Sequence, residues 1–145
     1  FGTAITDRGV ETIATIQTLR GLNIGGTTVT DAGLKPLGTL KELRALSLSR
    51  ATGLGDAGLA NLAPLQSLEE LSVHGNPITD AGLVHLAALK GLKVLSIQGD
   101  QLTDAGIPHL VRLTWLKKLD LDGPKLTDNA WYTLWDKLPH VEIRR

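Results

Sequence analysis

The sequence predicts an α/β solenoid of about six turns, each made of one strand and one short helix. The dipeptide Thr-Asp, with Gly-Asp once, places aspartates at intervals of 24, 25, 24, 24 and 24 residues, at Asp7, Asp31, Asp56, Asp80, Asp104 and Asp128. Aliphatic residues then recur at fixed distances after each aspartate. A repeat of this length indicates a stacked architecture, so we predict one domain over residues 1–145.

The leucine spacing within one repeat separates a helix from a strand. After Asp80, leucines follow every three residues from Leu83 to Leu92, as on one stripe of a short helix. Leu95 and Ile97 are two residues apart, the period of a strand. One repeat cannot bury enough apolar surface to fold alone, so neighbours must stack and join their strands into a parallel sheet.

The repeated dipeptide also predicts where each helix begins. Thr79 or Asp80 is expected to cap free backbone N–H groups, and the carboxylate suits the positive end of the helix. A glycine recurs two residues after the aspartate, as in Gly82. We predict that it permits close approach to a neighbouring segment; a phosphate-binding glycine loop is the alternative.

One segment carries a family resemblance. Leu68, Leu71, Val73, Asn76 and Ile78 follow the pattern L-x-x-L-x-L-x-x-N-x-L, so the chain resembles the leucine-rich-repeat family. The Thr-Asp-Ala-Gly-Leu segment at 79–83 is similar to ribonuclease-inhibitor-like, F-box-type and bacterial repeats, here without cysteine. The resemblance implies a right-handed βα superhelix with the parallel sheet on its concave face, helices on its convex face, and partner binding by the sheet.

The two ends depart from the repeat. Phe1, Gly2, Thr3 and Ile5 match the tail of a repeat whose strand is missing, so we expect further repeats or domains in the parent chain. Residues 128–145 are expected to form an atypical capping repeat that contains Trp131, Tyr132 and Trp135. There Val141 and Ile143 indicate a strand that begins two residues early; an aromatic binding patch or dimer contact is the alternative to a cap.

Composition narrows the function. Lys plus Arg and Asp plus Glu both number 15, a balance that disfavours nucleic-acid binding. No apolar run approaches the ~18 residues of a membrane helix, so no membrane partner is expected. The absence of cysteine removes disulfides and thiolate chemistry but leaves the compartment open. A cytoplasmic location is favoured slightly, and a secreted effector is the alternative.

The predicted binding surface is the set of strand side chains that face away from the leucine core. Three rows run across the repeats, and we expect the last repeat to add His140 to the first row, Glu142 to the second and Arg144 to the third. The rows are small and neutral at their start, with Gly21, Ala45, Asn23, Ser47, Gly25 and Ser49. The expected contact residues are Glu70, Ser72, His74, Val94, Ser96, Gln98, Lys118, Asp120, Asp122 and Glu142. The acidic members indicate a basic or hydrogen-bonding partner.

The size of this surface limits its affinity. Six strands ~4.8 Å apart, three residues deep, give roughly 300 Å², against the ~800 Å² that a standard interface buries on each partner. Either loops or further repeats supply the remaining contact area, or the affinity is low. Trp115, just before the fifth strand, is a possible additional aromatic contact or packs between loops.

We expect no catalytic site, no metal and no cofactor. Serine, histidine and aspartate occur on the same sheet, but an open sheet supplies neither an oxyanion hole nor a dry pocket. His85 and His109 stand one repeat apart without a third ligand. The sequence therefore favours a protein-interaction module. The alternatives are the substrate-recognition arm of a ubiquitin-ligase adaptor or secreted effector, and a structural spacer.

Overall fold

Six parallel strands form one sheet in chain order in the computed structural model, which describes residues 5–99, 101–123 and 125–145. The strands are β1 (Gly21–Asn23), β2 (Ala45–Ser47), β3 (Glu70–Ser72), β4 (Val94–Gln98), β5 (Lys118–Asp122) and β6 (Glu142–Arg144). Each strand pairs only with the strands of the repeats before and after it. The predicted solenoid of strand-plus-helix turns is confirmed.

The helical segments are of two kinds. Four are α-helices, namely α1 (Asp7–Ile13), α2 (Asp56–Asn61), α3 (Ile107–Leu110) and α4 (Asp128–Lys137). The others are 3₁₀ helices, at Ala32–Thr39, Gly82–Ala88 and Asp104–Gly106. Both kinds carry leucines three residues apart, so this spacing, although it matches the three residues per turn of a 3₁₀ helix, does not decide which form a segment takes.

The leucines form one continuous core. Leu46, Leu71, Leu95 and Leu119 are adjacent to one another across the sheet and are all buried. Helical leucines such as Leu86 cover them from the other side. Since each repeat buries its apolar side chains against the next, the strands are held in one register and their polar residues face outward in rows.

The aspartates link neighbouring repeats, and of the two residues that were candidates for the helix cap it is the threonine that accepts from the helix N–H. The Asp80 carboxylate accepts hydrogen bonds from the Thr103 backbone N–H at 2.9 Å and from its hydroxyl at 2.6 Å. Thr103 Oγ1 in turn accepts from the N–H of Ala105 and so caps its own helix. The same pair of hydrogen bonds joins Asp7 to Thr30, Asp56 to Thr79 and Asp104 to Thr127. The Asp31 carboxylate instead accepts from the Gly55 N–H. The threonine therefore caps its own helix. The aspartate connects its repeat to the next one, and we call this pair of hydrogen bonds an aspartate tie.

In four repeats a glycine in the first helical turn makes room for the aspartate of the preceding repeat, which confirms the predicted close approach; these are Gly33, Gly58, Gly82 and Gly106. A Cβ on Gly82 would lie 2.2 Å from Asp56 Oδ1 of the preceding repeat. A Cβ on Gly106 would lie 2.5 Å from Asp80 Oδ1. A Cβ atom cannot be accommodated at these distances without a shift, so glycine at this position allows neighbouring repeats to pack closely.

The aspartate ties predict a pH-dependent stability. Hydrogen bonds from Thr30 and Thr127 hold the pKa values of Asp7 and Asp104 below the usual 3.8. Because the folded state favours the ionised form, the stabilisation is present above that value and is lost as the pH falls through the lower pKa of the folded chain. The urea midpoint is therefore expected to fall between pH 5 and pH 3, and Asp104→Asn to flatten part of that fall.

Asp136 offers the matched control for this titration. It lies exposed on α4 and pairs with Lys137 of the same helix. Asp136→Asn should leave the shape of the pH profile unchanged. If Asp104→Asn and Asp136→Asn gave the same profile as the unmodified chain, the ties would contribute nothing to stability.

Some expectations fall outside the described residues. The match of Phe1, Gly2 and Thr3 to the tail of a repeat concerns residues 1–4, which are not described. Within the described ranges, every helix is too short or too polar to cross a lipid bilayer.

Candidate functional site

The outward side chains of the six strands form what we call the concave face. Its first row follows the register of the sheet and comprises Gly21, Ala45, Glu70, Val94, Lys118 and Glu142. Its second row comprises Asn23, Ser47, Ser72, Ser96, Asp120 and Arg144. A third row lies just beyond the short strands and includes Ser49, His74, Gln98 and Asp122.

The last strand corrects the predicted arrangement. Ile143 lies beside Leu119, and Glu142 beside Lys118, so β6 does not begin two residues early. Glu142 therefore belongs to the first row and Arg144 to the second. His140 precedes the strand, with Nε2 2.6 Å from the Thr114 carbonyl oxygen. The prediction was wrong because Val141 and Ile143 copy the spacing of a strand, while only Ile143 stands in the strand position.

A shallow cavity of about 440 Å³ occupies the part of the concave face over β1 to β4. Its floor is low because Gly21 and Ala45 carry almost no side chain and Ser47 only a hydroxyl. Glu70 and Val94 rise along one side. The cavity is therefore a small, largely apolar depression in the neutral half of the sheet, where a side chain of a partner can enter.

The charged half of the concave face satisfies much of its own charge. Lys118 Nζ lies 3.1 Å from Asp120 Oδ2, and Gln98 donates to Asp122. Arg144 pairs with Glu142 two residues earlier. The acidic cluster that the sequence indicated is thus largely compensated, and a basic partner would have to replace bonds that already exist.

A second, smaller cavity of about 270 Å³ lies in this charged half. His74 and Ser96 line it together with Asp120 and Asp122, so the structure brings these four predicted contact residues together. Ser72 lies outside it, where its hydroxyl is 2.8 Å from the Ser49 hydroxyl. Across the described ranges, no three His, Asp or Glu side chains are placed to hold a metal ion.

The rim of the concave face contains an ion-pair cluster that sequence reasoning missed. Glu69 accepts from Arg44 at 2.7 Å and from Lys93 at 2.6 Å, which links three successive repeats. The hydrogen bond from Lys93 is the main cause that lowers the pKa of Glu69, and the positive charges of Lys93 and Arg44 lower it further. Arg44, Glu69 and Lys93 each directly precede a strand. Their equivalent positions in successive repeats could have indicated from the sequence that they lie side by side.

Trp115 packs between two loops. Its indole N–H donates to the Leu89 carbonyl oxygen at 3.0 Å, and Lys90 Nζ lies 3.9 Å above its ring. The residue is only partly exposed. Its contacts therefore tie the fourth and fifth repeats together, and the second of the two predicted roles is the one that the structure displays.

The architecture defines a class of protein, the parallel βα solenoid with one open sheet face. Two segments, residues 15–38 and 65–87, match the family profile described as Leucine Rich repeat. The chain therefore contains leucine-rich repeats in these segments and folds as a leucine-rich-repeat solenoid. Domains of this family generally mediate protein–protein interactions.

Solved structures show the same fold. Internalin C2 from Listeria monocytogenes superposes with a TM-score of 0.63 at 25% identity, over 99% of this chain and 67% of that one. The tropomodulin C-terminal domain from Caenorhabditis elegans gives 0.67 at 16% identity, over 90% of this chain and 92% of that one. A search of curated protein sequences finds no significant match.

Proposed function

We propose that this chain binds another protein through its concave face, with the cavity over Gly21, Ala45 and Ser47 receiving an apolar side chain of the partner. The observation that carries the proposal is this 440 Å³ depression in the neutral half of the sheet surface. Anchor side chains that fill pockets near the centre of an interface supply most of its binding energy.

The chemistry around the cavity indicates the partner. Its floor is neutral and small, so a leucine, methionine or aromatic side chain can be desolvated there without leaving a charge unpaired. Glu70 is exposed at its edge and can accept from a lysine or arginine next to that anchor. Ser72 and Ser96 offer hydroxyls for backbone groups of the partner.

The remaining predicted contacts extend this surface. His74, Gln98, Asp120 and Asp122 would meet the same partner further along the sheet, with Lys118 and Glu142 beside them. Because several of these side chains already pair with one another, contacts there add specificity more than affinity. We therefore place the energetic centre over β1 to β4 and the periphery over β5 and β6.

Filling the cavity is the direct test. In Ala45→Trp the new indole occupies the depression, and peptides selected from a display library on the unmodified chain should lose roughly 10- to 30-fold in affinity. Ala32→Trp is the matched control, because Ala32 is exposed at the start of a 3₁₀ helix, away from the sheet. Isothermal titration calorimetry measures both, with circular dichroism to verify the fold.

Equal affinities for the two variants would contradict the concave-face proposal. If library selection yields no binder that depends on the sheet, the chain acts as a spacer between other domains. Roles as the recognition arm of a ubiquitin-ligase adaptor or secreted effector require further domains, and the full-length reading frame would decide between them.

A further inference from the structure

Lysine and arginine are concentrated along one edge of the sheet. Because all six strands are parallel, the residues that precede them lie together at one edge and the residues that follow them lie at the other. The six residues before each of β1 to β5 contain seven basic and two acidic side chains, although the whole chain has a formal net charge of zero. We call these positions the basic edge; its charged members are Arg20, Lys41, Glu42, Arg44, Glu69, Lys90, Lys93, Arg112 and Lys117.

The opposite edge of the sheet is acidic. Between the strand ends and the first residue of the next helix, six aspartates and two bases are described. Four of these aspartates accept hydrogen bonds from the next repeat. The balanced composition therefore conceals a separation of charge across the strands. These residues are Asp31, Asp56, Asp80, Asp104, Asp122 and Asp128, with Arg50 and Lys125.

Backbone hydrogen bonds align one residue of each repeat along the basic edge. The Arg44 N–H donates to the Arg20 carbonyl oxygen at 2.8 Å, and the Glu69 N–H donates to the Arg44 carbonyl oxygen at 2.7 Å. The Lys93 N–H continues to Glu69 at 2.7 Å, and the Lys117 N–H to Lys93 at 2.8 Å. At the ~4.8 Å spacing of paired strands, these five residues form a row about 19 Å long.

The positive charge of this row is accessible. Arg20 and Lys117 are exposed and form no ion pair with any residue of the described ranges. Arg44 and Lys93 share the single carboxylate of Glu69, and their side chains remain 56% and 45% exposed. Ion pairs this exposed contribute little to stability, so a carboxylate from outside can compete for these bases.

The basic edge adjoins the cavity of the concave face. Gly21, Ala45 and Val94 line that cavity, and each directly follows a base of the row. A partner that inserts a side chain into the cavity therefore brings its neighbouring residues over the basic edge.

We propose that the basic edge binds an acidic segment of the partner protein, next to the apolar anchor. The inference rests on the proposed function for the position of that anchor and adds the charge of the segment beside it. Aspartate or glutamate side chains of the partner accept from Arg20, Arg44, Lys93 and Lys117. The aspartates of the opposite edge repel the same segment, so the separated charges set the direction in which the partner crosses the sheet.

The two acidic residues of the basic edge favour a peptide over a nucleic acid. Glu42 is exposed, and Glu69 lies in the middle of the row. A phosphate backbone carries a negative charge at every nucleotide and would meet both carboxylates. A peptide can place neutral residues opposite them.

Charge reversal at the two unpaired bases tests the edge directly. A short oligoglutamate peptide is the probe, and it is titrated into the isotope-labelled chain at about 0.15 M salt, where the ~8 Å Debye length screens distant charges. The backbone amide resonances of Arg20, Arg44, Lys93 and Lys117 should shift. In Arg20→Glu/Lys117→Glu the dissociation constant should rise roughly ten-fold.

Arg8→Glu/Lys35→Glu is the matched control for this variant. It changes the net charge by the same amount, at exposed positions on helical segments away from the sheet. Its dissociation constant for oligoglutamate should stay within about two-fold of that of the unmodified chain. An oligolysine peptide of the same length should leave the resonances of the basic edge unshifted. Circular dichroism verifies that both variants fold.

Ala45→Trp distinguishes this inference from the proposed function. Oligoglutamate has no apolar anchor, so it should bind Ala45→Trp as it binds the unmodified chain. Peptides selected from a display library should instead carry aspartate or glutamate near an apolar residue. They should lose roughly ten-fold in affinity both with Ala45→Trp and with Arg20→Glu/Lys117→Glu. A loss with Ala45→Trp alone would support the cavity and refute the basic edge.

Three results with oligoglutamate would overturn the inference. The first is no binding to the unmodified chain, and the second is equal binding to Arg20→Glu/Lys117→Glu and to the control variant. The third is a DNA duplex that binds at about 0.15 M salt where oligoglutamate does not, since the edge would then recognise phosphates. Binding of oligoglutamate that depends on Arg20 and Lys117 but not on Ala45 would support the basic edge even if the cavity received no anchor.

Discussion

Truncation of Trp131 to alanine is expected to lower the free energy of unfolding by about 3–5 kcal/mol, the range for large aromatic side chains removed from a core. Trp131 is 1% exposed and lies on α4 as part of the continuous hydrophobic core. Its loss leaves a cavity in the last described repeat, and stability in a repeat protein depends on each contact between neighbouring repeats. Urea unfolding followed by circular dichroism measures the change.

Trp135 is the matched control on the same helix. It is 48% exposed, so Trp135→Ala should change the unfolding free energy by less than about 1 kcal/mol, measured at low protein concentration. Trp131→Phe separates packing from polarity, because the buried Trp131 indole N–H has no partner among the described residues. We expect phenylalanine to retain most of the stability. Equal losses for Trp131→Ala and Trp135→Ala would argue against residues 128–145 as a cap.

Replacement of Gly82 by alanine is expected to destabilise the chain by about 1–3 kcal/mol, although alanine by itself favours helix by about 1 kcal/mol over glycine. The new Cβ would lie 2.2 Å from Asp56 Oδ1 and 3.2 Å from Ile78 Cγ2. The Asp56 carboxylate must move, and its two hydrogen bonds to Thr79 are then stretched or lost. The steric term therefore decides the sign.

Gly9 provides the comparison within the same column of the repeat. Among the described residues, its Cβ would meet the Ile5 side chain, at 3.2 Å, and no aspartate. Gly9→Ala should consequently be neutral or stabilising, as measured by the urea midpoint. Ala130 already occupies this position in the last repeat while Asp104 keeps its bonds to Thr127, so a methyl group is tolerated where the neighbouring turn adjusts. A Gly82→Ala chain as stable as Gly9→Ala would show that the fourth repeat adjusts equally easily.

Local periodicity predicted the fold but not the state of each helix. Leucines three residues apart indicated a helix, and the structure divides these segments between α and 3₁₀ forms. The glycine column correctly predicted a close approach because only a steric demand in each repeat explains it. The choice between Thr79 and Asp80 as the cap stayed open, since both side chains can accept from a helix N–H and only the position of the next repeat separates them.

The sequence predicted the rows of the candidate site but not the pairing among their side chains. The rows from Gly21 to Lys118 lie where the repeat places them, because a parallel register repeats the offset from each aspartate. The pairing of Lys118 with Asp120, and the contact of Trp115 with Leu89, involve side-chain directions that spacing alone does not specify. The cavity over Ala45 was equally invisible, since it arises from neighbouring small side chains in three dimensions.

The sequence by itself determined a stack of about six repeats, the residues that form its core and the residues that face outward. These follow from periodicity, because burial of aliphatic side chains repeats with the chain. Only the tertiary structure decided which polar groups satisfy one another and where the sheet surface is depressed. Those features depend on contacts between side chains one repeat apart in the sequence. The distances between these side chains are fixed only when the repeats stack.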